Sequence, residues 1–127
     1  MGAYDSYHSG TVTITPPLSW AQIRSAPGLR DVQFVLNEIH EDTETGRTTT
    51  VTAVAVKPRT TSAFNGGEIA ADLTNLLTAF PVHEFAGVIT AKPEDPDGLP
   101  WRYLVRSRWV ERQEARLMWP EGEVVQP

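Results

Sequence analysis

The sequence predicts an α+β domain, a mostly antiparallel sheet with two helices packed on one face, in the order β-α-β-β-α-β-β-β. Three observations carry this expectation. Short runs of alternating or β-branched residues recur between proline- and glycine-rich breaks. Two segments have helical spacing, one of them sustained over about three turns. The strand, helix, strand, strand, helix, strand order that results is one that usually folds as a single sheet covered by its helices.

Residues 11–15 alternate Thr with Val12 and Ile14, the period of a strand with one buried face. Pro16 and Pro17 are expected to end it, because proline cannot donate to a ladder. Ser19 then stands as a candidate N-cap with Gln22 three residues later, a capping box opening a short helix over residues 20–25 that Pro27 and Gly28 stop. Residues 32–39 place Val32, Phe34 and Leu36 on one side and Val35 and Ile39 on the other, a strand partly buried on both faces. The polar stretch 40–47 reads as a hairpin loop, and the Thr- and Val-rich run 48–56 as its returning strand.

Ile69, Leu73, Leu76, Leu77 and Phe80 fall at i, i+4, i+7, i+8 and i+11, one apolar stripe on a helix with Asn65 and Glu68 as capping box and Pro81 as its end. Residues 84–91 are strand-like, and 92–100, with three prolines and a glycine, form a loop. Residues 1–9 and 121–127 are expected to be loosely ordered ends of a single domain spanning 1–127.

A chain of 127 residues, 40% hydrophobic and 21% charged, can bury one core and lies far from the disordered regime. It has no cysteine, which excludes disulfides, thiolate metal sites and a cysteine nucleophile. With neither a signal-like N-terminus nor a long apolar run, the expectation is a cytoplasmic protein without a membrane partner. The net charge of −5 is unevenly spread. Residues 1–100 hold six basic against twelve acidic residues, whereas 101–116 hold five arginines against Glu111 and Glu114, a local +3.

That basic stretch, WRYLVRSRWVERQEARLMWP, is the ambiguous part of the chain. Residues 101–106 alternate as a strand, but 108–119 are good helix formers with Val110, Glu114, Leu117 and Met118 at helical spacing. Alternatively, Arg102, Arg106 and Arg108 line one strand face while Trp109, Ala115, Leu117 and Trp119 line the opposite face of a following strand. Met1, Gly2 and Tyr4, then Pro16, Pro17, Leu18 and Trp20, and finally Trp119, Pro120, Glu121 and Gly122 resemble a group of small uncharacterised proteins of actinobacteria and their phages. These open Met-Gly-x-Tyr, end a strand at Pro-Pro-Leu and close on Trp-Pro-Asp/Glu-Gly. The resemblance implies no activity, but it suggests a closing hairpin with its turn near Ser107 and Arg108. Residues 109–119 are therefore expected as strand, against local propensity, with Tyr103, Trp109, Leu117 and Trp119 in the core and the arginines outside.

No motif fixes a reaction. His83-Glu84 is half of a His-Glu-x-x-His zinc motif, but Gly87 stands where the second histidine belongs. Glu94, Asp95 and Asp97 lack the remainder of a calcium loop, and the acids at residues 41–44 suit an exposed hairpin tip. Asn65-Gly66-Gly67 lacks the lysine of a phosphate loop and is followed by Glu68. No catalytic, cofactor or metal residue is therefore assigned, and the chain is read as leaning away from enzymatic function.

The expected function is a protein-interaction module, an accessory protein of a phage or mobile element that binds or inhibits a host protein. Its expected interaction surface is the outer face of the closing hairpin, Arg102, Arg106, Arg108 and Arg112. The alternative is nucleic-acid binding by those arginines with Trp101 or Trp109 stacking on bases, disfavoured by the negative total charge. Oligomeric state stays open, with an edge-strand dimer as one option.

Overall fold

The computed structural model describes residues 6–59, 68–122 and 124–125. Strands β1 (Ser6–Ser19), β2 (Val32–Thr43), β3 (Gly46–Pro58), β4 (Glu84–Pro93), β5 (Trp101–Arg106) and β6 (Trp109–Glu114) are joined by helices α1 (Trp20–Ser25) and α2 (Ile69–Ala79). The six strands form one antiparallel sheet in the order β2-β3-β1-β4-β5-β6, so the α+β class fits.

The alternation of β1 decides which face is the core. Val12, Ile14 and Leu18 are buried, while Thr11, Thr13 and Thr15 between them are exposed. Across the ladders Val12 meets Val56 and Gly87, and Ile14 meets Phe85, so these partners share the buried face. The apolar stripe of α2, Ile69, Leu73, Leu76, Leu77 and Phe80, is buried in the same cluster, with Tyr103 and Val105 of β5. Full burial of each such large apolar side chain is worth about 1.5–3 kcal/mol, which makes this stripe the main attachment of the helix. Ile23 of α1 packs on the cluster from a partly buried position.

The α1 capping box forms as expected. The Gln22 amide donates to Ser19 Oγ at 3.2 Å, and the Ser19 amide to Gln22 Oε1 at 2.8 Å. Two glycines let β1 and β4 lie close: Gly10 (φ 118°) and Gly87 (φ 155°) sit where a Cβ would strike the carbonyls of Val88 and Thr11.

Several expected boundaries move. Pro16 and Pro17 do not end β1, which runs on to Ser19; its ladder to β4 stops at Thr15–Glu84, just before them, and its ladder to β3 jumps in register from Thr13–Ala55 to Leu18–Ala53. Without N–H groups the prolines cannot pair, yet the strand resumes once past them. Ser6 to Ser9, expected in a loose end, are the first residues of β1, with Ser6 and His8 buried.

The loop expected over 40–47 is almost all strand, since pairing continues to Thr43–Gly46 and leaves only Glu44 and Thr45 as the turn. Thr-rich β3 supplies the pairing partners: His40 Nδ1 lies 2.9 Å from Thr49 Oγ1, and Arg47 pairs with Asp42 at 3.1 Å. Asn65, the expected cap of α2, lies outside the described residues; the cap position is Glu68, which makes no side-chain cap bond. β6 stops at Glu114, well short of residue 119. Beyond it the chain is held by single bonds, Ala115 N to Pro100 O at 3.0 Å and Val125 N to Leu117 O at 2.9 Å.

The cap function at α2 is taken over by an exchange with the segment before β2. Asp31 Oδ2 accepts the Glu68 amide at 3.1 Å. In return the buried Asp72 carboxylate accepts three backbone amides through Oδ2, from Arg30 at 2.9 Å, Asp31 at 2.8 Å and Val32 at 3.1 Å. Arg59 closes the same corner, its amide donating to Asp31 O at 2.9 Å and its guanidinium to Leu29 O at 2.8 Å. Replacement of Asp72 by Ala leaves three amides without their acceptor. The expected loss is about 3 kcal/mol or more in urea unfolding, with Asp72→Asn losing about half as much because a neutral acceptor remains.

His8 gives the fold a pH dependence. Burial lowers its pKa from the ordinary 6.5, against smaller opposing pulls from Asp31 and Ser6. In the window below 6.5 the unfolded chain therefore binds more protons at this position than the folded one. Its contribution is complete above that pH and is lost as pH falls through the lower folded value. Urea midpoints should fall on acidification below 6.5, and His8→Gln should show a shallower decline than the wild type.

Candidate functional site

The β5–β6 hairpin is the most basic part of the chain, and its register decides what each arginine can do. The turn is the two residues Ser107 and Arg108, so Arg106 pairs with Trp109, Leu104 with Glu111, Tyr103 with Arg112 and Arg102 with Gln113. With a two-residue turn, even positions of β5 face odd positions of β6. Tyr103 and Val105 point to the core, and so Val110 and Arg112 share their face. Arg102, Arg106 and Trp109 share the other.

This parity corrects the expected core. Tyr103 is buried at 5% exposure, but Trp109 is 64% exposed, and Leu117 and Trp119, beyond the strand, are 59% and 57% exposed. The turn at Ser107 and Arg108 is the one expected, but across it Trp109 pairs with Arg106, so these two share the face away from Tyr103.

The four arginines expected on one surface are therefore distributed. Arg102 and Arg106 share the outer face, where Arg102 Nε donates to Gln113 Oε1 at 2.7 Å. Arg108 occupies the turn. Arg112 lies on the core side, its guanidinium 4.9 Å from the centre of the Trp101 ring and its Nη2 3.2 Å from Glu114 Oε1. Trp101 is itself held there, donating from Nε1 to the Tyr103 hydroxyl at 3.2 Å. Arg112, although exposed, is thus engaged by a cation–π contact and an ion pair. Among the described residues, Arg106 and Arg108 make no ion pair.

Two concave regions flank the hairpin. One, of about 470 Å³, lies between the C-terminal half of α2 and the turn and is lined by Thr74, Thr78, His83, Ser107, Arg108 and Trp109 among others. The second, of about 430 Å³, lies at the open end of the hairpin beside Trp101, Arg102, Gln113 and Arg116. Both volumes are within the range of small ligand sites.

The first crevice places a hydroxyl near a histidine, but not as a nucleophile and base. Pro16 O can only accept, so His83 Nδ1 donates to it at 2.6 Å, and His83 Nε2 then accepts from Gln22 Nε2 at 3.0 Å. With both ring nitrogens engaged, His83 offers no base to Ser107. Its role is to tie the start of β4 to the capping box of α1, which its position just ahead of a strand did not reveal.

Arg108 and the Thr74 hydroxyl remain, an arrangement that suits capture of a carboxylate or another anion by a guanidinium; the Thr78 hydroxyl already donates to Thr74 O at 3.0 Å. Ser107 carries φ 46°, in the left-handed region that glycine prefers at a hairpin turn. Ser107→Gly should therefore raise stability by about 0.5–1 kcal/mol in thermal or urea unfolding, with no other change in the hairpin.

Neither a curated protein nor a solved structure is matched by this chain. A family model does match, over residues 2–126. With nearly its whole length covered, the chain belongs to the family of unknown function DUF6205.

Proposed function

We propose that the protein is a non-enzymatic interaction module that docks an acidic surface of a partner protein on its β5–β6 hairpin. In this reading it is an accessory protein of an actinobacterium or its phage, acting in the bacterial cytoplasm by binding or inhibiting a host protein. The observation that carries the reading is the segregation of charge. The hairpin and the two residues after it, 101–116, hold five arginines against two glutamates on a chain of net −5, and Arg106 and Arg108 have no ion-pair partner among the described residues. A like-signed patch of this kind steers association and selects an oppositely charged surface. The exposed Trp109 beside it supplies the aromatic contact that interfaces favour.

The same Trp109 supports a second reading, stacking of a nucleic-acid base with Arg106 and Arg108 on phosphates. The overall negative charge weighs against it, because such proteins present a strongly basic footprint.

One experiment separates the two. The full chain and its Arg106→Glu/Arg108→Glu variant are used as baits in nuclease-treated and untreated actinobacterial lysate, and each captured protein is purified and titrated against both baits. The expected result is a nuclease-resistant, salt-sensitive partner that the variant binds at least about tenfold more weakly, each tenfold corresponding to about 1.4 kcal/mol. A capture that vanishes with nuclease moves the assignment to nucleic acid. Equal capture by both baits overturns the docking surface.

A further inference from the structure

The basic hairpin has an acidic counterpart elsewhere in the same chain. The ladder between β1 and β3 ends at Ser19–Thr52, and beyond it β2 and β3 continue as a two-stranded ribbon to Thr43–Gly46. Every residue from Leu36 to Thr43 and from Gly46 to Thr50 is exposed, so neither face of this ribbon is covered. At about 3.4 Å per residue it projects roughly 20 Å, and a bare two-stranded ribbon is marginally stable in water. Residues 38–47 hold Glu38, Glu41, Asp42 and Glu44 against Arg47, a local −3 opposite the +3 of residues 101–116. Glu38 is near His40, and Asp42 pairs with Arg47, but among the described residues Glu41 and Glu44 make no ion pair.

These two charged regions cannot neutralise one another within one molecule. β2 and β6 are opposite edges of the sheet. In register, Phe34 and Val105 are both level with Val12, through Val56 and Gly87. Thr43 is nine residues past Phe34, whereas Ser107 is two past Val105. At about 3.4 Å per residue the ribbon tip thus stands about 24 Å further along the sheet than the basic turn, before any lateral separation is added. That is about three Debye lengths at physiological ionic strength, so the attraction is screened inside the chain and available only between chains.

We propose that the protein associates with itself head to tail, the acidic tip of the β2–β3 ribbon of one copy docking on the basic β5–β6 hairpin of a second copy. In this contact Glu41 and Glu44 of the first copy meet Arg106 and Arg108 of the second. The crevice of about 470 Å³ beside Arg108, with the Thr74 hydroxyl on its wall, receives the Glu44 carboxylate. The contact is heterologous, so each copy keeps one free acidic tip and one free basic hairpin, and assembly grows open-ended unless its rotation closes a ring. The proposal rests on the reading of the hairpin as a docking surface for acidic protein, and it names that surface's partner as a second copy of this chain.

Sedimentation velocity on the full chain tests it. At low salt the average mass is expected to rise with concentration to about twice the monomer mass or beyond. It should return to the monomer at about 0.5 M salt, where the Debye length is only about 4 Å. Glu41→Lys/Glu44→Lys and Arg106→Glu/Arg108→Glu, all at exposed positions, should each be folded by circular dichroism and monomeric. An equimolar mixture of the two variants should recover the association, since the reversed tip of one then complements the reversed hairpin of the other. A wild type that stays monomeric at low salt, association that persists in both variants, or association indifferent to salt overturns the proposal. If the wild type is monomeric while Arg106→Glu/Arg108→Glu still loses its nuclease-resistant partner, self-association falls and the docking reading stands. If neither effect appears, both fall.

Discussion

The buried carboxylate of Asp72 holds the two halves of the fold in one arrangement. It accepts three consecutive amides, Arg30, Asp31 and Val32, at the point where the chain enters β2. Three converging donors satisfy a charge that would otherwise be expensive to bury, and they also fix the conformation of the segment that presents them. Because Asp31 in turn accepts the amide at the start of α2, helix and strand entry restrain each other. The apolar stripe of α2 alone would permit small sliding over the sheet, whereas this exchange of hydrogen bonds specifies one position.

That position bears on the surface at the far end of the helix. α2 contacts β2 at one edge of the sheet and β6 at the other. Its first turns are anchored by Asp72, and its later residues Thr74, Leu77 and Thr78 form one wall of the crevice whose other wall is the β5–β6 turn. The basic turn thus rests against a rigid element. Its two-residue connection leaves Arg106 and Trp109 on the outer face and Arg112 on the opposite face, exposed but lying over the Trp101 ring. A hairpin that looked uniformly basic in sequence is divided into a structural arginine, Arg112, and a surface pair, Arg106 and Arg108.

Charge is organised on a larger scale by the topology. The strand order puts the long acidic ribbon at one edge and the basic hairpin at the other. Both are edge elements, the part of a sheet most available for contact with another chain. The ribbon is covered on neither face, and its own pairs, Arg47 with Asp42 and His40 with Thr49, are exposed ones that contribute little. The polarity visible as a composition shift along the chain is therefore a spatial polarity as well.

Local features were legible in the sequence because their causes are local. The capping box of Ser19 and Gln22, the α2 stripe and the alternation of Val12 and Ile14 each follow from spacing within one turn or one strand, and each is present. One signal went unread: Asp72 interrupts the buried stripe three residues after Ile69, and a lone acid on an apolar face must have a partner. The partner, some forty residues away, is not encoded locally. The same holds for the length of β2, which runs through acidic residues because β3 pairs with it, and for Pro16 and Pro17, beyond which β1 resumes its pairing with β3 alone. The exposure of Trp109 follows from the turn expected at Ser107 and Arg108, which sets it opposite Arg106; its apolar character had outweighed that parity in the expected core. The sequence by itself determined the elements and the imbalance of charge; pairing register and strand order, which are set by contacts between distant residues, decided which side chains face water.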